Sequence, residues 1–397
     1  NQQIRGATPS GTLPEIRTSN NNRPHPRPWN HANSRSGSQP TNDTINHSSY
    51  GTDPQRKNPH HYRFLFNNIN GVHFSSTSIL ELMSIARGLQ LDWLGLAETH
   101  LDTHKQHVQS VVRRAMSAKH NGFKSTNCVF SQSDLAYEGN IKFGGVLQLA
   151  TDNLASRTTS SHSDKYGRWT SQTHIGQKGA VLTTISDRVA TGCKGPTSAY
   201  AQQRSMLVTE KRPADPRVLF FTDIREYIQV CQGNGHDIIL CLDANETMTK
   251  RTSAIRRLAH DCGLIDIHQD ISASHSLNSH RAGTSQIDFC LATPRVINSI
   301  TQTGILAFDD AFGGDHRAMY FDLDVAKFFY ATTSNPVSHQ GRDFTTKDIK
   351  KTKLFIDSTM SEWERRNMSS RIQTLSEISK LPSDQVNIDK ASALFEK

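Results

Sequence analysis

Two hydrophobic patterns alternate along the middle of the chain. Short apolar runs of strand length are followed by segments in which apolar residues recur at every third or fourth position, the spacing of a helix. The apolar runs predict strands at 62–68, 91–96, 141–150, 166–175, 179–189, 237–242, 286–292, 305–308 and 317–323. The helical spacing predicts helices at 75–89, 104–116, 217–232 and 253–262. Strands mixed with helices in this way predict an α/β or α+β domain at 61–330.

The two ends of the chain have a different composition. Residues 1–60 contain eight of the fourteen prolines and only six large apolar residues, so we expect a disordered tail. Residues 331–397 predict a linker and a charged helical segment, with a solvated helix pair favoured over a nucleic-acid-binding arm. Because the chain begins with Asn1 and stops inside a helical pattern at 388–395, we expect it to be truncated.

Composition argues against several classes of protein. No apolar run approaches the roughly 20 residues that cross a bilayer, so no membrane segment is expected. The six cysteines lack any CxxC pair, which argues against a zinc knuckle or disulfide scaffold and indicates a reducing, intracellular protein. Cys241 and Cys290 lie in apolar runs and are expected to be buried thiols. Residues 1–60 hold half of the net charge of +8, so charge alone identifies no partner.

Polar and acidic residues recur where the predicted strands end or begin. They are Asn68, Asn70, Glu98, Asp243, Asn245, Asp288, Asp315 and His316. One such residue usually caps a helix or a turn, but several at strand ends are typical of the clefts at the edges of layered α/β folds. We therefore expect these side chains to share one polar cleft.

The residue types in this cleft narrow the reaction. Glu98, Asp315 and the amide of Asn70 offer hard oxygen ligands, which suit Mg²⁺ or Mn²⁺. A histidine with a separate carboxylate can activate water or stabilise charge on a phosphate. No Ser or Cys has the surroundings of an acyl-transfer nucleophile. The set favours metal-assisted hydrolysis of a phosphate ester.

Six short motifs follow one another in the chain. They are Phe66-Asn67-Asn68-Ile69-Asn70-Gly71, Leu96-Ala97-Glu98-Thr99-His100, Gly144-Gly145-Val146, Leu242-Asp243-Ala244-Asn245, Gln286-Ile287-Asp288-Phe289 and Gly314-Asp315-His316-Arg317. In this order they resemble the endonuclease/exonuclease/phosphatase superfamily, which includes DNase I and the apurinic/apyrimidinic endonucleases. The resemblance covers about 62–325 and is greatest to the apurinic-endonuclease-like domain of non-LTR retrotransposons.

The resemblance implies a four-layer sandwich, in which two packed mixed β-sheets are flanked by helices and the site lies at one edge. It implies that Glu98 is the principal metal ligand, assisted by Asp315. Asn70 takes a place where apurinic endonucleases often have Asp, and an amide is a weaker metal ligand than a carboxylate.

The resemblance also assigns roles in hydrolysis. Asn68 and Asn245 match the amides that contact the phosphate, and Asp243 would position the water or the leaving oxygen. His316 matches the catalytic histidine, with Asp288 as its orienting carboxylate. Whether His316 or Asp243 takes the proton of the water stays open.

One position departs from the resemblance. After the strand at 179–186, relatives carry a Tyr-Arg step, and Asp187 stands where the tyrosine is expected. An acid there would repel the phosphate, so the departure predicts reduced activity unless another tyrosine, such as Tyr200, serves instead. His100, His104 and His107 have helical spacing and are interpreted as a solvated surface rather than a metal site.

These features together predict a Mg²⁺-dependent phosphodiester hydrolase (with Mn²⁺ as the other candidate ion), a DNA-nicking endonuclease of a non-LTR retroelement, in the nucleus or the cytoplasm. Its expected partners are DNA and a reverse transcriptase segment, which this sequence does not include. Two alternatives stay open. One is a phosphatase or phospholipid phosphodiesterase of the same fold, and the other is a catalytically impaired remnant.

Overall fold

The central strands bury both of their faces, because their side chains alternate between two apolar layers. Phe64 and Phe66 point into the space between two sheets, whereas Leu65 packs beneath helices on the outer side. The computed structural model describes residues 48–54, 56–71, 76–117, 121–136, 142–190, 192, 195–212, 215–274, 277–332 and 349–378.

Two mixed sheets are built from these strands. The seven-stranded sheet has the order β1 (Tyr50–Gly51), β12 (Ile300–Ile305), β13 (Met319–Asp324), β2 (His61–Asn68), β3 (Trp93–Ala97), β5 (Val146–Thr151) and β4 (Thr126–Ser131). The six-stranded sheet has the order β10 (Ile265–Asp266), β11 (Asp288–Ala292), β9 (Asp237–Asp243), β8 (Val181–Arg188), β7 (Trp169–Ile175) and β6 (Thr158–Ser163). The pairs β2–β3 and β8–β9 are parallel, and the other pairs are antiparallel.

Helices cover the outer faces of both sheets. The helices of the described residues are α1 (Ser76–Gly88), α2 (Gln106–Ala115), α3 (Asp152–Ser156), α4 (Ala199–Thr209), α5 (Pro216–Gly233), α6 (Ala254–Asp261), α7 (Gln269–Ser274), α8 (Pro294–Ile297), α9 (Val325–Phe329), α10 (Ile349–Arg365) and α11 (Met368–Ile378), of which α10 and α11 have no buried residues. The apolar faces of α1 and α2 pack on the seven-stranded sheet, and those of α5 and α6 pack on the six-stranded sheet. A third apolar cluster fills the space between the sheets. The predicted four-layer sandwich is confirmed.

One edge of the sandwich collects the carboxyl ends of both parallel pairs. Asn68 at the end of β2 is in register with Ala97 of β3, and Arg188 at the end of β8 is in register with Asp243 of β9. Asp288, the first residue of β11, lies opposite Asp243. Sheet register therefore brings side chains that are far apart in sequence to one place.

Several elements rich in polar residues lie at other positions than predicted or were not predicted at all. The strand expected at 305–308 lies at Ile300–Ile305 instead, because the segment Thr301-Gln302-Thr303 runs between β1 and β13 while Leu306 and Phe308 turn into the core. The strands β4 and β6 and the helix α4 were not predicted, since their sequences lack a clear apolar period.

The folded part also begins earlier than residue 61. Tyr50–Gly51 pairs with β12, the carbonyl of Ser48 accepts a hydrogen bond from Arg317 at 2.7 Å, and Lys57 forms an ion pair with Asp92 at 2.5 Å. Residues 48–60, expected in the disordered tail, thus contact the sandwich where they are described. The rest of the predicted tail lies outside the described residues.

The predicted charged helical segment corresponds to α10 and α11. Their side chains are exposed or half-buried, which agrees with a solvated helix pair. The helical pattern expected at 388–395 lies outside the described residues. Among the described helices, none has the length and apolar character to span a membrane. Cys241 and Cys290 are buried free thiols, as predicted.

Candidate active site

A sharp turn after β3 aims Glu98 at the site edge. Glu98 and His100 have positive φ angles of 53° and 56°, which is uncommon outside glycine. The backbone nitrogens of Thr99 and His100 donate to the carbonyls of Gly145 and Gly144 at 3.1 and 2.8 Å, which holds the turn against the start of β5. A Cβ on Gly145, whose φ is +82°, would lie 2.8 Å from the Thr99 hydroxyl. The Gly144-Gly145 motif therefore serves to position Glu98.

Asn68 connects the two halves of the site. It is fully buried at the end of β2, and its amide nitrogen donates to Asp243 Oδ2 at 2.9 Å and to Glu98 Oε1 at 3.2 Å. Its side-chain oxygen Oδ1 accepts from the backbone nitrogen of Asn70 at 3.0 Å. Both amide protons are thus used within the protein, so Asn68 fixes the two carboxylates.

His316 and Asp288 form a buried pair. The Nδ1 atom of His316 lies 2.8 Å from Asp288 Oδ2, and its Nε2 atom lies 3.4 Å from the amide nitrogen of Asn68. Burial favours the neutral imidazole, but Asp288, Asp243 and Asp315 outweigh it and raise the pKa of His316 to about 9. At neutral pH His316 therefore carries a proton and a positive charge.

Whereas the surroundings of His316 favour its charged form, those of Asp243 favour its uncharged form. It is fully buried, and burial together with the nearby Asp288 raises its pKa to about 7, although His316 and Arg188 act against this rise. Asn245 donates to Asp243 twice, from its backbone nitrogen and its amide nitrogen, both at 3.0 Å. A carboxylate whose pKa is near neutrality is suited to accept a proton from water.

Asn245 contacts Asp243 rather than an open space. Its amide nitrogen also donates to the carbonyl of Val189 at 2.8 Å, so both amide protons are occupied. The resemblance assigned Asn245 to the phosphate, but in this structure its amide holds Asp243 and ties the end of β9 to the end of β8.

Glu98 forms an ion pair with Arg188 of the same chain. Arg188 Nε lies 2.5 Å from Glu98 Oε1, and His100 Nε2 lies 3.3 Å from Glu98 Oε2. Burial disfavours the charged carboxylate, but Arg188, His100 and Asn68 outweigh it and hold the pKa of Glu98 at about 2. Glu98 is therefore ionised at all physiological pH values.

The donor set around Glu98 fits a hard divalent cation. Asn70 is exposed, and its amide nitrogen donates to Asp315 Oδ2 at 3.0 Å, while Asp315 Oδ1 is buried without a hydrogen-bond partner in the described part of the chain. Glu98 and Asn70 line one cleft of about 310 Å³. Mg²⁺ is usually held by one or two carboxylates plus water and phosphate oxygens, so this sparse set is sufficient.

Arg188, rather than Asp187, is the strand residue that faces the cleft. Asp187 is fully buried, and its strand neighbours Trp169 and Leu242 belong to the apolar cluster beneath α5 and α6. Because side chains alternate along a strand, Arg188 points to the other face, where it contacts Glu98. The expected repulsion between Asp187 and a phosphate in the cleft has no geometric basis in this structure.

Three residues at the site had no predicted role there. His100 lines the cleft beside Glu98, although it was interpreted as a solvated residue, whereas His104 and His107 are exposed as expected. Arg188 could have been found by counting side-chain alternation from Ile185. His280, whose Nε2 lies 3.4 Å from Asp315 Oδ2, gave no local signal.

Tyr200, the tyrosine considered as a substitute at position 187, lines the same cleft as Glu98, and its hydroxyl donates to Asp215 at 2.7 Å.

Comparison with solved structures bears on the fold. The AP endonuclease LMAP from Leishmania major is similar over 72% of this chain and 96% of its own, with a TM-score of 0.51 and 12% sequence identity. The chain has the DNase I-like fold. At this identity the likeness concerns the fold alone.

Two further structures resemble this DNase I-like domain less well. The catalytic domain of Xenopus laevis APE2 is 14% identical, with 66% of this chain and 91% of the other covered and a TM-score of 0.46. The 3′ phosphatase NExo from Neisseria, bound to a product DNA hairpin, is 13% identical, with 66% and 99% covered and a TM-score of 0.43. No protein-family model matches the sequence, and no curated protein matches it.

Proposed function

We propose that this DNase I-like domain is a Mg²⁺-dependent phosphodiester hydrolase that nicks DNA. The observation that carries the proposal is the buried network in which the Asn68 amide joins Asp243 to Glu98 beside the His316–Asp288 pair. Ion pairs that only stabilise a fold do not need a protonated histidine and a proton-accepting carboxylate at the same edge of the sandwich. Phosphoester hydrolysis uses this combination.

Glu98 would hold the metal, with Asn70, on the loop after β2, and Asp315, on the loop before β13, as further oxygen ligands. Mg²⁺, or Mn²⁺ in its place, would supply charge neutralisation at a phosphate oxygen when bound. Arg188 occupies Glu98 in this structure and would move its guanidinium toward the phosphate, the anion that a planar fork of donors matches best.

Asp243 and His316 divide the proton transfers in this proposal. Because His316 has a pKa of about 9, it is already protonated at neutral pH and suits charge stabilisation of the attacked phosphate or protonation of the leaving oxygen. Asp243, with a pKa of about 7, would take the proton of the attacking water. Asp288 keeps His316 charged and oriented, and Asn68 and Asn245 keep Asp243 in place.

We further propose that the domain belongs to a non-LTR retroelement. This assignment is supported by the order of the six sequence motifs, and it would make DNA the substrate, a reverse transcriptase segment the partner and the nucleus the place of action.

A catalytically impaired remnant is the second candidate. Two observations favour it: Arg188 sits on the principal metal ligand, and Asn70 replaces a carboxylate. Such a domain would bind Mg²⁺ weakly and would not cleave phosphodiesters.

Conversion of supercoiled plasmid to open circles by the full chain tests the proposal. We expect nicking with Mg²⁺, none with EDTA, and a rate at least about 10²-fold lower for Glu98→Gln. Preferential hydrolysis of a soluble inositol phosphate or of sphingomyelin would instead support the phosphatase or phospholipid alternative. A folded protein that hydrolyses none of these substrates would support the remnant.

A further inference from the structure

A second group of potential metal ligands lies next to Asn70. The ligand atoms of His280, Asp315 and His316 are all within 4.8 Å of one another, and Glu98 is not a member of this group. His280 has no part in the hydrolytic mechanism proposed above, so the group requires its own explanation.

The backbone holds these ligands in a fixed frame. His280 and His316 pair as an antiparallel β-bridge. On either side, the nitrogen of Arg281 donates to the carbonyl of Asp315 at 2.7 Å and the nitrogen of Arg317 donates to the carbonyl of Ser279 at 2.8 Å. Two loops that are about 35 residues apart in sequence are therefore locked side by side, and little backbone ordering remains to be done when an ion binds.

The distance between two of the ligand atoms suits a small tetrahedral ion. His280 Nε2 lies 3.4 Å from Asp315 Oδ2, close to the roughly 3.3 Å that separates two ligands of tetrahedral Zn²⁺ with bonds of about 2.0–2.1 Å. The rings of His280 and His316 meet edge to face with centroids 4.8 Å apart. The His280 side chain is 30% exposed, so its ring can rotate toward a common ion.

The environment of His316 is also that of a metal ligand. Asp288 holds its Nδ1 atom at 2.8 Å, which leaves Nε2 for an ion and reproduces the carboxylate–histidine–metal arrangement of zinc sites. Nε2 has only a long contact of 3.4 Å, to the amide nitrogen of Asn68. Asp315 Oδ2, the oxygen near His280, accepts from the Asn70 amide at 3.0 Å, whereas Asp315 Oδ1 is buried without a hydrogen-bond partner in the described part of the chain.

The ligand types select the ion. Two imidazoles and one carboxylate favour Zn²⁺ or a similar transition metal, whereas Mg²⁺ prefers a shell of oxygens. Three protein ligands leave a fourth position for water. The site would share Asp315 with the oxygen site at Glu98 and would differ from it in its two imidazole ligands.

We propose that His280, Asp315 and His316 form a transition-metal site, and that Zn²⁺ bound there inhibits the domain by taking His316 Nε2 away from the phosphate. The inhibition rests on the proposed hydrolytic function, whereas the binding of Zn²⁺ does not.

Titration of the full chain with Co²⁺, followed by its visible absorption, tests the binding, and competition with Zn²⁺ gives the affinity for zinc. We expect a tetrahedral spectrum that Mg²⁺ does not displace, and an affinity at least about 10-fold lower in His280→Ala and in Asp315→Asn. His260→Ala is the matched control, because His260 lies 3.3 Å from Asp261 in an exposed pair without a third ligand.

Co²⁺ and Zn²⁺ affinities that are equal in wild type, His280→Ala and Asp315→Asn would overturn the site, provided that circular dichroism shows all three folded. In the nicking assay, His280→Ala should tolerate about 10-fold more Zn²⁺ than wild type. If wild type does not nick DNA at all, the proposed function fails, and the Co²⁺ titration still decides whether the site exists.

Discussion

Arg188 Nε lies 2.5 Å from Glu98 Oε1, so the carboxylate expected to hold a metal is neutralised by a residue of the same chain. Both side chains are largely buried, with 12% and 15% exposure, which strengthens their attraction. A divalent ion must displace this guanidinium before it can use Glu98 fully. Arg188 is therefore an internal competitor of the metal.

Removing this competitor should strengthen metal binding. We expect Arg188→Gln to bind Mn²⁺ at least about 10-fold more tightly than wild type, measured by electron paramagnetic resonance of free Mn²⁺. Arg225→Gln, which breaks an exposed ion pair with Asp261, should leave the affinity unchanged. Weaker binding in Arg188→Gln would mean that Arg188 orients Glu98 for the metal instead.

A carboxylate at position 70 should also strengthen metal binding. In Asn70→Asp a second acid faces Asp315, where an amide now donates at 3.0 Å. We expect a lower melting temperature without metal, because two carboxylates repel, and recovery of stability with Mg²⁺. Asn58→Asp, an exposed change, serves as the control for added charge. A melting temperature that Mg²⁺ fails to raise more in Asn70→Asp than in wild type would place the ion elsewhere.

The two raised pKa values predict a bell-shaped pH dependence of kcat/KM. Activity should rise as pH increases through about 7, where Asp243 loses its proton, and fall as pH increases through about 9, where His316 loses its proton. Asp288→Asn removes the charge that contributes to both shifts, so both limbs should move to lower pH. A profile that Asp288→Asn leaves unmoved would contradict this division of roles.

The burial of Asp187 leads to a prediction about stability rather than about catalysis. Burial, Asp243 and the apolar surroundings raise its pKa well above the value in the unfolded chain, and Arg168 only partly opposes this. Its contribution to stability is therefore present below pH 4 and is lost as pH rises toward the folded pKa.

Asp187→Asn should remove this loss of stability. We expect the variant to raise the free energy of unfolding more at pH 8 than at pH 4, measured by urea denaturation, whereas the exposed Asp357→Asn should not change it. An equal effect of Asp187→Asn at both pH values would show that no charge is buried there.

The fold and most of the site could be predicted because apolar runs and short motifs carry local information. The strands expected at 62–68 and 237–242 lie within a residue of β2 and β9, since both have strongly apolar sequences. By contrast, β6 reads Thr-Thr-Ser-Ser-His-Ser and is exposed along most of its length at a sheet edge. An edge strand without a buried face leaves no apolar period to detect.

Partners within the site were harder to predict than its members. The contact of Arg188 with Glu98 joins the two different sheets, and that of His280 with Asp315 depends on an isolated β-bridge, so neither can be read from a local pattern. The assignment of Asp187 to the cleft failed by one residue, and in a strand a shift of one residue moves a side chain to the opposite face.

The catalytic role of His316 is tested most directly by the Mg²⁺-dependent nicking rate of His316→Ala, compared with wild type and with His260→Ala. We expect wild type and His260→Ala to nick supercoiled plasmid equally, and His316→Ala to be slower by at least about 10²-fold. Equal nicking by all three proteins would contradict the assignment of the active site.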